Sequence, residues 1–485
     1  MRAHLPLVVV LAAVGILAVG THRRGIGWGD DYTLYLRQAR SLFDGNIGQV
    51  IADNHDNVLL AAKPGFSPFV YPWGWPLVLA PFVRLFGLDY ERLKVVEVGC
   101  WLVFLGFFHA VLRRRMIPWL AIGTVAAIGT SMPYLRHTGQ LLSEFPYLAF
   151  VAATLWWLDR CRRGGRLDLA SRRDLVVLGL LAMMAFNTRR EGLAIVPAIV
   201  AVQLVDLRGR WNVVAWKKAA TPVVTFVVSV VALQLVVPSA LAPRYEGAGL
   251  HHTWRKLGGP FRTAFRDQLA IGEHSTLAWV VFAVVIIGVA YRLVRATADD
   301  VALVVFPLLS VLIVGTIPAN GDRYLLPITP FAVYFAAQAA AQMRRPRSRK
   351  PLVAGCAIAT MLLVHIVGGV DEVRAARAFN DAGVTQDGPA SPYAIAAFDA
   401  IERYTRRNDI VAFFKARALT FYTDRRAVQS SDFQVIRQRA DFFMMRRDSS
   451  HSQPLLTDSM AADAGLVEVW SDPDWVLWKI PPYDD

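Results

Sequence analysis

The sequence predicts a mainly α, polytopic transmembrane helical bundle followed by a small α/β domain. Three observations carry this. Hydrophobic residues make up 55% of the chain and the mean hydropathy is +0.37, well above a soluble protein of this length. About eleven apolar runs are long enough, or nearly so, to cross a bilayer core of roughly 30 Å. From residue 371 onward the composition turns polar, and helix-like and strand-like stretches alternate.

The runs fall near 5–20, 95–112, 117–134, 141–158, 174–188, 192–206, 219–238, 277–294, 301–318, 325–342 and 351–370. The first reads as an anchor that starts translocation rather than a cleaved signal peptide, because many more apolar runs follow it. With the N-terminus in the cytoplasm, every inside loop is basic: Arg113 to Arg115; Arg160, Arg162, Arg163, Arg166, Arg172 and Arg173; Arg208, Arg210, Lys217 and Lys218; Arg292 and Arg295; and the run from Arg344 to Lys350. That is the positive-inside pattern, and it accounts for the +14 formal charge without nucleic acid as a partner. Residues 74–87 are apolar but short, hold two prolines and Arg84, and break the charge pattern if counted as a span. They read as a re-entrant or interfacial helix. The long first loop, the tips near Arg136 and Arg189, the loop 239–276 and the tail then lie outside. The domain boundary falls at 370/371, with a membrane domain over 1–370 and a soluble extracytoplasmic α/β domain over 371–485.

The tail offers one helix-like stretch, SPYAIAAFDAIERYTRR, and three strand-like ones, DIVAFF, GLVEVW and WVLWKI. Cys100 and Cys356 lie in apolar runs and Cys161 in an Arg-rich loop, so no disulfide is predicted. No P-loop, dinucleotide fingerprint or Ser-His-Asp signature is present, which argues against a nucleotide-driven pump.

Polar chemistry gathers on the outer side. Asp30 and Asp31 follow the first run, and behind them Tyr32, Tyr35, Leu36, Ala39, Leu42 and Phe43 recur at helical spacing, predicting a short amphipathic helix on the membrane surface. Adjacent carboxylates at a bilayer edge are either solvated or bind a cation or a proton. The tips contribute Arg136, His137 and Glu144 from RHTGQLLSEF, Arg189, Arg190 and Glu191 from NTRREG, and Asp322, Arg323 and Tyr324 from NGDRYLLP. Arginines on the side that should be poor in positive charge either snorkel to anionic headgroups or hold a phosphate. Glu144 reads either as a partner of Arg136 or as a site carboxylate. His251 and His252 read as surface residues, since no acid stands near them at ligand spacing.

The acidic pair after the first helix, the Tyr-rich helix ending ARSLFDGN, then YPWGWPLVLAPFVRLFG and Arg92, together with LLSEFPYLAF, NTRREGLAIVP and DRYLLPITPF, resemble the GT-C membrane glycosyltransferases over residues 1–345. Within that family the motifs most resemble the branch with protein O-mannosyltransferases, the lipid A aminoarabinose transferase and Rgt-type core transferases. Lys63-Pro64 departs from the Lys-Pro-Pro run of the aminoarabinose branch. The resemblance implies a polyprenyl-phosphate-sugar donor, a glycan, lipid or protein acceptor on the outer face of the cell (inner) membrane, and a loop-one acid at the reaction centre. Asp30 matches the family's acid position. Asp31 stands where Glu is frequent.

The expected reaction is therefore displacement at the anomeric carbon, with Asp30, helped by Asp31, as general base. Arg323 and Arg190, with Tyr324 and Arg189, are expected at the donor phosphate, and Arg136, His137 and Glu144 in substrate or structural roles. A divalent ion, Mg or Mn, on Asp30 and Asp31 stays open. The alternative is a transporter or flippase for a lipid-linked glycan, which calls for polar residues at mid-span.

Overall fold

The computed structural model describes residues 4–60, 70–208, 213–241, 275–294, 298–315, 322–342 and 350–482. His251, His252 and Lys63-Pro64 lie outside them, and the side chain of Asp322 is not described. The chain forms two compact units. Unit 1 takes Met1–His22, Lys94–Val236 and Gly247–Ala378, and unit 2 takes Arg23–Leu93, Val237–Glu246 and Phe379–Asp485. Unit 2 thus draws on the first long loop, the second long loop and the tail, three pieces that the charge pattern assigns to one side.

Unit 1 is helical. Its helices follow the predicted apolar runs, with ends set by local chemistry. Ser171 starts Arg172–Thr188 by accepting a hydrogen bond from the Asp174 amide at 3.1 Å, a serine N-cap. Aromatic side chains fill the core: Trp101 stacks on Phe104 at 5.1 Å and on Tyr134 at 4.5 Å between ring centroids, and Phe108 meets Phe331 edge-on. Gly179 lets Arg172–Thr188 approach Val213–Val236, since a Cβ there would lie 2.5 Å from the Pro222 carbonyl oxygen.

Among the described residues, three helices are long and apolar enough to cross a membrane: Tyr90–Leu112, Val213–Val236 and Ala354–Asp381. Leu5–Gly20, Pro118–Gly129 and Ala283–Arg292 are apolar but shorter. Of the roughly eleven expected spans, full-length or nearly so, three are thus supported by length and apolarity, and several of the other runs are interrupted. The run 117–134 is helical over Pro118–Gly129, breaks at Thr130 and Ser131, and restarts for one turn at Met132–Leu135. The run 192–206 opens with the 3-10 turn Arg190–Ala194 before Ile195–Asp206. The run 325–342 is α-helical only over Thr329–Gln342, after Pro327.

A buried knot of charge ties helix ends together in unit 1. Arg115 grips both oxygens of Asp159, at 2.6 and 2.8 Å, and reaches Asp300 at 3.3 Å. Arg162 takes both oxygens of Asp206, at 2.9 and 3.0 Å, and pairs with Asp299. Arg292 and the Tyr334 hydroxyl also meet Asp300.

Unit 2 is built on a five-stranded sheet of order β2-β1-β3-β5-β4, where β1 is Ile410–Ala412, β2 Arg426–Val428, β3 Phe442–Arg446, β4 Val467–Ser471 and β5 Trp475–Lys479. β1 pairs in parallel with β2 and β3, while β5 pairs antiparallel with β3 and β4. Both faces are covered. Val411, Phe442, Met444, Trp475 and Leu477 join one core, and Ala412, Phe443, Met445, Val476 and Trp478 the other, as the two-residue period of a strand requires. Trp28, from the first loop, sits among Phe398, Phe413, Phe414 and Trp475. Its indole donates to Asp387 at 2.7 Å. The chain passes so close to Gly388 that a Cβ there would fall 1.8 Å from the Ile26 carbonyl oxygen.

The predicted amphipathic helix is Asp30–Asp44; of its expected apolar residues Tyr32, Tyr35, Leu36 and Ala39 are buried, while Leu42 is half-buried and Phe43 exposed. Thr33, Gln38 and Ser41 are buried as well, because Ile47–Leu60, Gly74–Phe86 and Ala416–Thr423 all pack on it. Gly74–Phe86 is a 13-residue helix of about 20 Å at 1.5 Å per residue. That is too short for a bilayer core of roughly 30 Å.

Candidate active site

The structure divides the predicted site residues between the units. Asp30 and Asp31 belong to unit 2, and Arg136, His137, Glu144, Arg189, Arg190, Arg323 and Tyr324 to unit 1.

In unit 2, Trp28 fixes the chain two residues before the acids, and extended Gly29 caps the helix that places both carboxylates in its first turn. The positive end of the helix dipole favours charge there. The two side chains are held differently. Asp31 Oδ1 accepts a hydrogen bond from the Tyr71 hydroxyl at 2.6 Å, and that hydroxyl accepts from Arg417 Nη1 at 2.9 Å. Arg417 is buried, donates through Nε to Asn54 Oδ1 at 2.8 Å, and lies over the Tyr71 ring. Asp30 faces Lys415, whose Nζ lies 3.6 Å from Oδ2. Its Oδ1 is buried and has no hydrogen-bond partner among the described residues.

That asymmetry sets the charge chemistry. Burial pushes the Asp30 carboxyl above the usual range, Lys415 and Arg417 pull it back, and the neighbouring Asp31 charge pushes it up again; the outcome is a raised pKa. A carboxylate with a raised pKa and one bare oxygen is a better proton acceptor than an ordinary surface acid. Burial also keeps the Tyr32 and Tyr422 phenols protonated. As a metal site the arrangement is poor. The two carboxylates already face Lys415 and Arg417, and among the described residues no group of three or more His, Cys, Asp or Glu gathers.

In unit 1, Glu144 opens the helix Glu144–Cys161 and is 2% exposed. Its partners are Arg189, at 2.7 Å, and Arg323, at 3.8 Å, rather than Arg136. Arg189 also pairs with Glu191 at 2.9 Å. Both guanidiniums lie over the Tyr324 ring, at 5.5 and 5.3 Å. Four predicted residues, Glu144, Arg189, Arg323 and Tyr324, therefore form one cluster. Arg190 lies over Phe186 and donates to the Phe186 carbonyl and the Asn187 amide oxygen. Burial lowers its pKa to about 10, so it stays a cation at neutral pH. Arg136 is exposed, and His137 Nδ1 donates to the Pro133 carbonyl at 2.6 Å.

Sequence reasoning missed four residues of this framework. Tyr71 and Lys415 meet the acids and Arg417 reaches them through the Tyr71 hydroxyl, and no local pattern announces pairings between segments 40 or several hundred residues apart. Glu97, buried in Tyr90–Leu112, accepts the Leu141 and Leu142 amides at 2.7 and 2.8 Å. It thereby holds a turn in which Leu141 has φ +54°. An acid inside an apolar run was its visible signal.

No family model matches the chain, and no curated protein matches it in sequence. Its fold is found among solved structures. ArnT from Cupriavidus metallidurans, bound to undecaprenyl phosphate, aligns over 97% of both chains at 14% identity with a TM-score of 0.57. The apo form of the same protein gives 13% and 0.58. The Archaeoglobus fulgidus oligosaccharyltransferase tethered to an acceptor peptide covers 91% of this chain and 69% of its own, at 10% identity and a TM-score of 0.53. At these identities the likeness is one of fold. With the apolar helices, it describes a mainly α, multi-pass membrane protein carrying a β/α extension.

Proposed function

We propose that the chain is a membrane glycosyltransferase that moves a sugar from a polyprenyl-phosphate-sugar donor to an acceptor on the extracytoplasmic face. The observation that carries the reading is the unequal pair in unit 2: Asp31 pinned by Tyr71, Asp30 with one bare, buried oxygen and a raised pKa. Support comes from the fold shared with ArnT, described with undecaprenyl phosphate bound, and with an oligosaccharyltransferase.

In this reading Asp30 takes the proton from an acceptor hydroxyl as its oxygen bonds to the anomeric carbon. The bond from that carbon to the lipid phosphate breaks, and the phosphate leaves with the electron pair. Fixed cations stabilise the leaving charge. Arg323 comes first, because its side chain is 29% exposed and so within reach of a ligand. Arg190 is second, since its lowered pKa of about 10 still leaves it a cation at neutral pH. Arg189, paired with Glu144 and Glu191, orients Tyr324 and Arg323 rather than bearing phosphate alone. Arg136, His137 and Glu144 take substrate-binding or structural roles. Asp31 is a positioning residue, held by Tyr71 and Arg417. No step is routed through a metal. Residues 1–370 form the membrane domain with a cytoplasmic N-terminus, and 371–485 the outer domain on which the first loop packs. The grouping of outer loops and tail in unit 2 supports that sidedness.

The test is release of labelled sugar from lipid-phosphate donor in membranes. Asp30→Asn is expected to lower the rate about 10²- to 10⁴-fold at unchanged expression. Near-normal release would remove the assignment. Absence of release from every natural donor, with donor lipid crossing the bilayer, would favour the flippase reading.

A further inference from the structure

A second polar site lies in unit 1, at the end holding the start of Leu5–Gly20 and the last turns of Tyr90–Leu112 and Glu144–Cys161. There a half-open cavity of about 430 Å³ lies between the helix ends. Four arginines line it, Arg113, Arg114, Arg160 and Arg163, against a single acid, Asp159. That acid does not balance them. Both its oxygens are gripped by Arg115, which is 4% exposed and does not line the cavity. Arg114 donates to the Asp159 backbone carbonyl, and Arg160 lies 4.6 Å over the Trp157 ring. Arg114 also stands 4.0 Å from Asp159 Oδ1, so this one acid, already gripped by Arg115, offsets at most one of the four charges.

A second observation points into the same space. His109 lines the cavity and is 6% exposed, yet its Nε2 has no hydrogen-bond partner among the described residues. An unpartnered imidazole nitrogen beside a ring of guanidiniums is a site whose missing hydrogen bond an anionic oxygen would supply. His4 adds a second imidazole to the lining, and the remaining wall is apolar. Gly106 and Ala110, one turn apart on Tyr90–Leu112, leave the space that larger residues would fill, and Leu7 and Trp156 complete it.

We propose that this cavity binds the phosphate of an anionic phospholipid, with the arginines and His109 on the phosphate ester and the apolar wall on the glyceride. A soluble phosphate would have no use for that wall, whereas basic pockets between membrane helices suit lipid headgroups. The site is distinct from the residues proposed for sugar transfer and does not rest on that reading.

The full chain, reconstituted in phosphatidylcholine nanodiscs with or without phosphatidylglycerol, tests this by thermal unfolding. Phosphatidylglycerol is expected to raise the unfolding temperature by a few degrees in the wild type. Most of that rise should vanish in Arg113→Gln/Arg163→Gln and in His109→Leu. A rise that survives these substitutions overturns the site. An equal, arginine-dependent rise with inorganic phosphate in pure phosphatidylcholine overturns the lipid as its source. Should the variants fail to fold, native mass spectrometry of the wild type decides. A retained phosphatidylglycerol molecule supports the proposal, and its absence overturns it.

Discussion

The knot around Arg115 in unit 1 and the acid pair in unit 2 are both buried clusters of opposite charge, but they differ in how fully the charges are matched. In the knot, Asp159 and Asp206 are each gripped by both arms of a guanidinium, Asp206 also accepts the Leu167 amide, and Asp300 meets Arg115, Arg292 and Tyr334. In the pair, Asp31 is matched and Asp30 keeps a bare oxygen. Saturated carboxylates hold helix ends together and have no basicity to spare. An unsaturated one costs stability and keeps its affinity for a proton. Glu144 falls between the two: it opens the helix that Asp159 nearly closes, about 22 Å along the axis, and Arg189 and Arg323 pair with it, yet both its oxygens are buried with their hydrogen bonding incomplete among the described residues.

The sharpest way to break this contrast is to remove one charge from each cluster. Arg115→Met leaves Asp159 and Asp300 short of a cation, and breaking a buried pair costs about 3–5 kcal/mol. The expected outcome is a large drop in unfolding temperature, with sugar transfer per folded molecule near wild type. Asp30→Asn should do the reverse, leaving stability within about 1 kcal/mol while removing transfer. Equal stabilities of the two variants would erase the distinction.

The contrast also marks what the sequence discloses. The helix Asp30–Asp44 is legible because Tyr32, Tyr35, Leu36 and Ala39 repeat at its period. In the tail, DIVAFF, GLVEVW and WVLWKI became β1, β4 and β5, and the predicted helix runs from Pro392 to Tyr404. β3 escaped because Phe442 to Met445 are buried on both faces and so show no alternation, and β2 is only three residues long. Arg115 and Arg162 read correctly as loop cations near helix ends. Their partners Asp159, Asp206, Asp299 and Asp300 lie on other segments, so the knot is invisible to any local pattern. The candidate site shows the same limit. The acids were visible as a pair, but Lys415 and Arg417, which make them unequal, reach them only through the fold.

Tyr71→Phe probes the matched half of the pair. It deletes the hydroxyl between Asp31 and Arg417 and keeps the ring under the guanidinium. Hydrogen bonds to charged groups contribute about 1.5–3 kcal/mol, so a fall in transfer rate of roughly tenfold is expected, with little change in the apparent affinity for donor. A loss as deep as that of Asp30→Asn would make Asp31, or Tyr71 itself, a direct participant.

The smallest effect is the most specific, because its two arms carry opposite signs. Transfer needs Asp30 ionised, so the rate falls as pH drops through its pKa, and the raised pKa places that acidic limb above the usual aspartate range. Lys415 lowers the Asp30 pKa and the Asp31 charge raises it. Lys415→Met should therefore move the limb to higher pH and Asp31→Asn to lower pH, each by up to about one unit. A purely structural role for either residue would lower the plateau and leave the limb in place. Limbs that shift together, or not at all, would show that another group takes the proton.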